Sequence, residues 1–289
     1  MTMADGGAPR SWIRSVLTFA GFLLAVLVVW ELLKFIGGDP WRYFGWEWRP
    51  PLEFRFASDL LLPHVWQIAG ALLEPVQRLR TDSLGQFLVG AALYTWREAA
   101  IGFVAGTILG IGLATAFVHS RLLERAFVPY VIASQTIPIV ALAPMIVFAF
   151  GTSIVSVAIV ATYLTFFPVT IAMIRGLRSP DPRALDLMRS YAASPWATFW
   201  KLRMPASLPY LFTALKISAT ASIVGAIIGE GPGGVNEGLG RAIINFNNQY
   251  ISGPEKLWAT ILIAALLGIA FYSLVQIAER YTLRAAPAR

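Results

Sequence analysis

The chain has 289 residues, of which 57% are hydrophobic and 13% are charged, with a formal net charge of +7 and no cysteine. Soluble domains usually carry about 25% charged residues, so this composition argues against a protein with an entirely water-exposed surface. The lack of cysteine excludes disulfides and thiolate metal sites. The two histidines, His64 and His119, lie far apart in the sequence and have no spacing typical of metal ligands.

Long apolar blocks predict an all-α, polytopic membrane protein with about six transmembrane helices. A helix of about 20 apolar residues spans the hydrocarbon core of a bilayer. The first block, Val16 to Ile36, is too long for a signal peptide and lacks its small-residue cleavage site, so we expect a true membrane helix. The predicted spans are 16–36, 99–118, 127–149, 154–174, 209–228 and 257–278.

The segment between the first two spans has a different composition. Its stretch from Trp41 to Pro51 mixes tryptophan and tyrosine with arginine, which is typical of the headgroup level of a membrane. Beside a membrane helix, this favours an interfacial segment over a nucleic-acid surface. Residues 63–80 and 84–97 are predicted to be helical. We expect a first domain, 1–98, with the first helix and this outer segment, and a core domain, 99–284.

The distribution of basic residues predicts the orientation. The loops on the same side of the membrane as the two termini contain more lysine and arginine per residue than the long loops on the opposite side. Under the positive-inside rule, both termini face the cytoplasm. The net positive charge is therefore a signal of topology, and no nucleic-acid partner is expected.

Small residues mark a packing face on the second predicted span. Gly102, Gly106 and Gly110 recur at intervals of four, with Gly112 beside them. In lipid, such residues allow two helix backbones to approach closely. Prolines within the next two spans are compatible with a pathway, because they free backbone carbonyls that neighbours or water must satisfy; they are Pro129, Pro138, Pro144 and Pro168.

The loop of residues 175–206 carries two helix start signals. Asp181 followed by Pro182 predicts an N-cap and a short helix to about Tyr191. Ser194 followed by Pro195 repeats the signal for a second helix, which Pro205 is expected to end. Taken alone, the loop is also compatible with an amphipathic segment that rests on lipid.

The spacing of this loop resembles the conserved cytoplasmic loop of binding-protein-dependent ATP-binding-cassette (ABC) permeases. The family signature is an acidic residue, two alanines, three residues and a glycine, followed further on by Leu-Pro. Here six residues lead from Asp186 to Ala192, thirteen more lead to Pro205 and four more to Pro209. Leu187 and Met188 replace the two alanines, and Ala192 replaces the glycine. Further similarity lies in Arg97–Gly112, Ile137–Gly151 and Gly238-Leu-Gly240. It covers about residues 60–284 and is closest to the nitrate/sulfonate/taurine branch.

The resemblance implies a type I importer permease in the bacterial cytoplasmic membrane. Its partners would be an ABC ATPase dimer, a second permease copy, an extracytoplasmic solute-binding protein and membrane lipid. The first loop helix would be a coupling helix that docks on the ATPase. The residues expected at this contact are Asp186, Leu187, Met188, Arg189, Ala192 and Pro205.

Polar residues inside apolar spans are candidates for the solute path, although each hydroxyl could simply bond a backbone carbonyl. Lys216 either has a function within the membrane or extends to the cytoplasmic interface. Glu230 is expected to be a solvated loop acid or to contact solute or binding protein, together with Gly238 and Gly240. The path candidates are Ser134, Gln135, Thr136, Thr162, Thr220 and Ser222.

The sequence predicts no enzyme. Gly229–Gly234 fits the dinucleotide pattern G-x-G-x-x-G, but no strand precedes it and Pro232 interrupts it, so a glycine-rich outer loop is expected instead. The chain has no P-loop pattern, so ATP and magnesium would bind the partner ATPase and no cofactor is expected here. An intramembrane enzyme, an ion-coupled transporter and a channel are disfavoured alternatives. The solute remains open among sulfonate, taurine, nitrate and thiamine- or riboflavin-type precursors.

Overall fold

A computed structural model describes residues 8–43, 46–76, 82–231 and 237–285, which are almost entirely helical. The chain divides into two compact units, Met1–Gly85 with Gln249–Ala259, and Gln86–Asn248 with Thr260–Arg289. The α-helices are α1 Ala8–Gly37, α2 Val65–Ala71, α3 Leu84–His119, α4 Arg121–Ser134, α5 Ile139–Phe150, α6 Ile154–Leu177, α7 Pro182–Ser190, α8 Pro195–Thr198, α9 Met204–Glu230, α10 Leu239–Asn248 and α11 Pro254–Ala285.

The predicted all-α membrane class is confirmed. Within the described residues, five helical segments are long and apolar enough to cross a membrane, and the α4–α5 pair makes a sixth if it is one broken span. The predicted second span and the helix expected just before it are one continuous helix, α3. Of the helix predicted over residues 63–80, only α2 is helical among the described residues, and residues 77–80 lie outside them.

The third predicted span is not a straight helix over 127–149. It is split into α4 and α5, which meet at an angle of 98°. The reason is Pro138, which has no backbone N–H and disfavours helical geometry at Ile137. Pro138 instead takes the N-cap position of α5. Length and apolarity located this span but did not reveal its break.

In the first unit, the outer segment is tied to the end of α1. Strands β1 Trp41–Tyr43 and β2 Trp46–Trp48 form an antiparallel hairpin that the sequence did not predict. Trp48 stacks on Phe35, with ring centroids 4.7 Å apart. Lys34 is fully buried, and its Nζ lies 2.6 Å from Asp59 Oδ1 and 2.7 Å from the Leu62 carbonyl oxygen. This ion pair between a buried lysine and a partly exposed aspartate holds the chain that follows α1.

In the second unit, α6 and α9 pack along each other, and α3 packs against α6. A Cβ atom built on Gly106 would lie 2.6 Å from Thr165 Cβ and 2.9 Å from the Thr162 carbonyl oxygen, and Gly102 and Gly110 meet α6 equally closely. These three glycines therefore form the predicted packing face. Gly112 does not belong to it, since nothing lies within 4 Å of its Cβ position.

The prediction that Pro205 ends a helix is wrong. From Pro195 the chain stays helical to Glu230, through α8, a π-helical turn Phe199–Arg203 and then α9. In the π-helical turn, the Met204 N–H donates to the Phe199 carbonyl, five residues earlier. A wider turn of this kind changes the local hydrogen-bond register, so a residue without an N–H is accommodated just after it.

Candidate functional site

The predicted short helix in the loop is α7. Its N-cap is Asp181, whose Oδ1 accepts a hydrogen bond of 2.8 Å from the Arg183 N–H, and Pro182 occupies the first turn. Both features follow from the Asp-Pro start signal. Asp186 and Arg189 form an ion pair of 3.1 Å on the exposed face, as their spacing of three predicts.

The turn after α7 has a left-handed backbone at the position where Ala192 replaces the glycine of the family signature. Ala192 has φ of +49°, the only positive φ among the described non-glycine residues. The Ala193 N–H donates to the Met188 carbonyl and the Ala192 N–H to the Arg189 carbonyl, so the turn closes over the end of α7. Alanine therefore adopts a conformation that glycine would adopt with less strain.

Apolar side chains stand exposed on this loop. We define the loop surface as Leu187, Tyr191, Trp196 and Trp200, which are 57%, 77%, 68% and 50% exposed. Met188 is half-buried, and Pro205 lies in the helix behind this surface. Aromatic side chains of this kind are enriched at protein interfaces and at the membrane surface.

Ionic and polar contacts connect the loop to α4 and α6, and the chain continues from the loop into α9. The Arg178 guanidinium makes two bonds to the Glu124 carboxylate of α4, of 2.8 and 2.6 Å. Arg203 donates to the Leu177 carbonyl at the end of α6, at 3.1 Å. Because α8 continues into α9, the loop is connected to α4, α6 and α9.

Three of the path candidates lie at the break between α4 and α5. Ser134 ends α4, and Gln135 and Thr136 follow it. The Ser134 and Thr136 hydroxyls donate to backbone carbonyls within α4, at 2.8 and 2.7 Å. The Tyr163 hydroxyl of α6 donates to the Ser134 carbonyl. The freed backbone groups are thus partly satisfied by the side chains next to the break.

Two other path candidates form hydrogen bonds with backbone carbonyls of the helices. Ser222 is fully buried and donates to the Ala219 carbonyl, and Thr162 donates to the Gly102 carbonyl of α3 at 3.3 Å. Thr162 is half-buried, and both hydroxyls bond backbone carbonyls, as small hydroxyl residues do where helices pack closely. Thr220 is exposed on α9, on the same side as Thr213 and Ile217.

This exposed side of α9 borders an open cavity of about 520 Å³ against α6. Its wall is mostly apolar, with aromatic rings from Phe167 and Tyr210 and a single cation, Arg175, at the end of α6. Thr213 and Ile217 complete the wall on α9, and Thr220 lies one turn beyond them. A pocket with apolar walls and few polar groups is typical of small-molecule sites.

Lys216 forms an ion pair with another helix and does not extend to the interface as an unpaired charge. Its Nζ lies 2.8 Å from Glu279 Oε2 on α11, and about a fifth of each side chain is exposed. The pair links α9 to α11 across 63 residues of sequence. Sequence reasoning missed Glu279, whose only signal is an acidic residue near the end of an apolar helix.

Glu230 is fully buried, so the expectation of a solvated loop acid is wrong. Its Oε2 accepts a hydrogen bond of 2.6 Å from the Gly240 N–H, at the start of α10. A Cβ atom on Gly238, whose φ is +95°, would lie 2.4 Å from the Glu230 carboxyl carbon. The two glycines therefore let the turn close directly over this carboxylate. Residues 232–236 of the glycine-rich loop lie outside the described part of the chain.

Comparison with known proteins gives a consistent family assignment. Residues 106–284 match the family described as binding-protein-dependent transport system inner membrane component. The formylaminopyrimidine transport permease protein of Halalkalibacterium halodurans is 34% identical over 233 residues, covering 78% of this chain and 92% of the relative. The riboflavin transport system permease protein of Chloroflexus aurantiacus is 31% identical, covering 66% and 70%. The putative aliphatic sulfonates transport permease protein of Bacillus subtilis is 28% identical, covering 80% and 88%.

Proposed function

This chain belongs to the binding-protein-dependent transport system inner membrane components, and we propose that it forms the solute path of an ABC importer and is driven through α7. It is a multi-pass permease subunit of an import system for a small solute. ATP and magnesium would bind a separate ATPase dimer, and a solute-binding protein would deliver the solute. Both termini of the chain would face the cytoplasm, as the basic loops favour.

The observation that carries this proposal is the exposed α7 with its surroundings. A capped helix of nine residues presents Asp186, Leu187 and Arg189 to the outside. The loop surface adds Trp196 and Trp200, which the rest of the unit leaves uncovered. The ion pair between Arg178 and Glu124 and the continuity of α8 with α9 give such a docked helix a firm connection to the membrane helices.

The solute path would need a second copy of the chain. Six membrane crossings enclose only part of a pathway, and an ATPase dimer offers two docking grooves, so a symmetric pair of permeases is the simplest closed assembly. The exposed side of α9 with Thr213, Ile217 and Thr220, next to the cavity, is our candidate for the surface that faces the path. Gln135 and Thr136, at the break of the third span, are the other candidates.

For the solute, we favour a planar heteroaromatic compound of the vitamin-precursor class. The relatives at 34% and 31% identity are named for formylaminopyrimidine and riboflavin transport. A largely apolar wall with Phe167 and Tyr210 also suits a ring better than a small hydrated anion. A sulfonate is the second candidate, because the relative at 28% identity is named for it and Arg175 supplies a cation.

The coupling role is tested by changing α7 without disturbing the membrane helices. Asp186→Lys reverses a charge that is 68% exposed, and Leu187→Asp places a carboxylate in the apolar part of the contact. If the site is desolvated in the complex, each change should cost about 2–4 kcal/mol, or an about thirtyfold to thousandfold weaker assembly. The measurement is the affinity of the ATPase for the purified permease, with solute-stimulated ATP hydrolysis in proteoliposomes.

The matched control is Asn247→Lys, which adds a positive charge at an exposed position of α10. It should leave assembly unchanged. Full assembly and full stimulated hydrolysis by both α7 variants would refute the coupling role. The solute is tested separately, by comparing formylaminopyrimidine, riboflavin and an aliphatic sulfonate as ligands of the cognate binding protein and as substrates for uptake. The mass of the detergent-purified complex should correspond to two permeases and two ATPases.

A further inference from the structure

A second acidic side chain lies beside Glu230. Glu98 of α3 is also fully buried, and its carboxyl group lies within hydrogen-bonding reach of the Glu230 carboxyl group. Two carboxylates cannot hydrogen-bond to each other without a proton between them. Both oxygens of Glu98 and Oε1 of Glu230 are buried without a well-formed hydrogen bond to another described residue, although the Tyr94 hydroxyl also lies close to Glu98.

Two negative charges in this position would be strongly unfavourable. Like charges at short range repel, and burial removes the water that would screen them. Neither carboxylate has an ion pair within the part of the chain that the structure describes. Arg97, next in sequence, is exposed, so water screens much of the attraction between its charge and Glu98. A proton or cation bound between the carboxyl groups would relieve this repulsion.

A proton fits this site better than a metal ion. Calcium takes six to eight oxygen ligands and magnesium demands a near-octahedral set. The described residues contain no group of three or more acidic or histidine side chains that could hold a metal ion. A proton needs only the two oxygens that face each other, as in other buried carboxyl pairs.

We propose that Glu98 and Glu230 bind one proton between them and that this proton holds the Gly238–Gly240 turn in place. Glu98 is the carboxylic acid and donates its O–H to Oε1 of Glu230. Glu230 is the carboxylate, because its Oε2 already accepts the short hydrogen bond of 2.6 Å from the Gly240 N–H. This arrangement gives the unpaired Oε1 of Glu230 a donor and stands apart from the proposed import function.

The proton links three elements. Glu98 lies on α3, Glu230 on α9, and the turn begins α10, where the Leu239 N–H also donates to Thr95 of α3, at 2.8 Å. Loss of the proton sets two negative charges against each other beneath the turn. Because the folded turn holds the proton, its stability is present at low pH and is lost as the pH rises through the titration of the pair.

Three other titratable groups surround the pair. Tyr94 and Arg97 come from α3, and Glu237 precedes the turn, where its charge acts on Tyr94. These groups and Gly238 also line an open cavity of about 560 Å³, which offers protons a route from solvent. Glu237 is exposed, so its own charge does not replace the buried interaction between Glu98 and Glu230.

The test uses the full chain in detergent with a single reporter thiol. The chain has no cysteine, so Ala242→Cys introduces one thiol at a site in α10 that is 1% exposed. Its rate of labelling by a methanethiosulfonate reports opening of the turn. Glu98→Gln is the matched variant, since its amide donates a hydrogen bond to Glu230 at every pH. The thiol itself also titrates, but it does so equally with and without Glu98. The ratio of the two labelling rates at each pH therefore removes this effect.

Between about pH 6 and about pH 9, the rate of thiol labelling should increase with Glu98 in place and with Glu98→Gln. The increase should be at least about fivefold larger with Glu98 in place. An equal rise in both backgrounds would overturn the proposal. A change in labelling on adding calcium, magnesium or a chelator would also overturn it, in favour of a metal site. If Glu98→Gln fails to fold, infrared spectra of the unchanged chain decide: a protonated carboxyl band at neutral pH is expected, and its absence refutes the shared proton.

Discussion

The contact between α3 and α6 gives the sharpest stability prediction, because one helix carries both the test site and its control. At Gly106, an added Cβ would lie 2.6 Å from Thr165 Cβ and 2.9 Å from a backbone oxygen of Thr162. The backbone oxygen cannot rotate away, so the two helices must separate. Overpacking of this kind costs about 1–3 kcal/mol, and we expect the upper part of that range, about 3 kcal/mol.

An opposing effect must be included. Alanine is favoured over glycine within a helix by about 1 kcal/mol. Gly106→Ala should therefore lose about 2 kcal/mol in total, whereas Gly112→Ala, which meets nothing within 4 Å, should gain up to about 1 kcal/mol. The two variants then differ by about 3 kcal/mol, or by at least about 6 °C in Tm at roughly 2 °C per kcal/mol.

The assay is thermal unfolding of the purified chain in detergent, followed by intrinsic tryptophan fluorescence. Size-exclusion chromatography checks that both variants are monodisperse before heating. If Gly106→Ala melts as high as Gly112→Ala, then α3 and α6 do not pack as closely as described, and the glycine spacing has another cause.

Three further predictions use the same unfolding assay. Ala192→Gly should raise the stability by up to about 1 kcal/mol, since φ is +49° there, and a loss would contradict the left-handed turn. Lys216→Met leaves the half-buried Glu279 carboxylate unpaired and should cost about 2 kcal/mol, which the added Glu279→Leu change should largely restore; an equal loss in the double variant would argue against the ion pair. Burial lowers the pKa of His64, although its hydrogen bond with Glu31 opposes this, so the folded chain holds the ring neutral. Stability should therefore fall as the pH drops below about 6.5, and this fall should be smaller in His64→Gln.

The sequence predicted those features that depend on neighbouring residues. Blocks of apolar residues located the spans, and the Asp181-Pro182 pair located the start of α7. The recurrence of glycine every fourth residue identified the face of α3 that meets α6. In each case the cause lies within a few residues of the feature itself.

Features that depend on distant contacts were not predictable in the same way. Glu230 looked like a loop acid because its partners, Glu98 and Gly240, become neighbours only after α3, α9 and α10 assemble. Glu279 lies 63 residues from Lys216, and no local pattern joins them. The break at Pro138 had a local signal, but an intramembrane proline is compatible with a kink, a break or a straight helix.

The π-helical turn Phe199–Arg203 has an evolutionary consequence. Such a turn corresponds to one extra residue in an α-helix, and each residue turns the helix by about 100°. The extra residue therefore sets the direction of Trp196 independently of the buried face of α9. Deletion of one residue here would keep the α9 contacts and would rotate Trp196 to another side of the helix. The direction of the loop surface and the buried face of α9 can thus change separately along one unbroken helix.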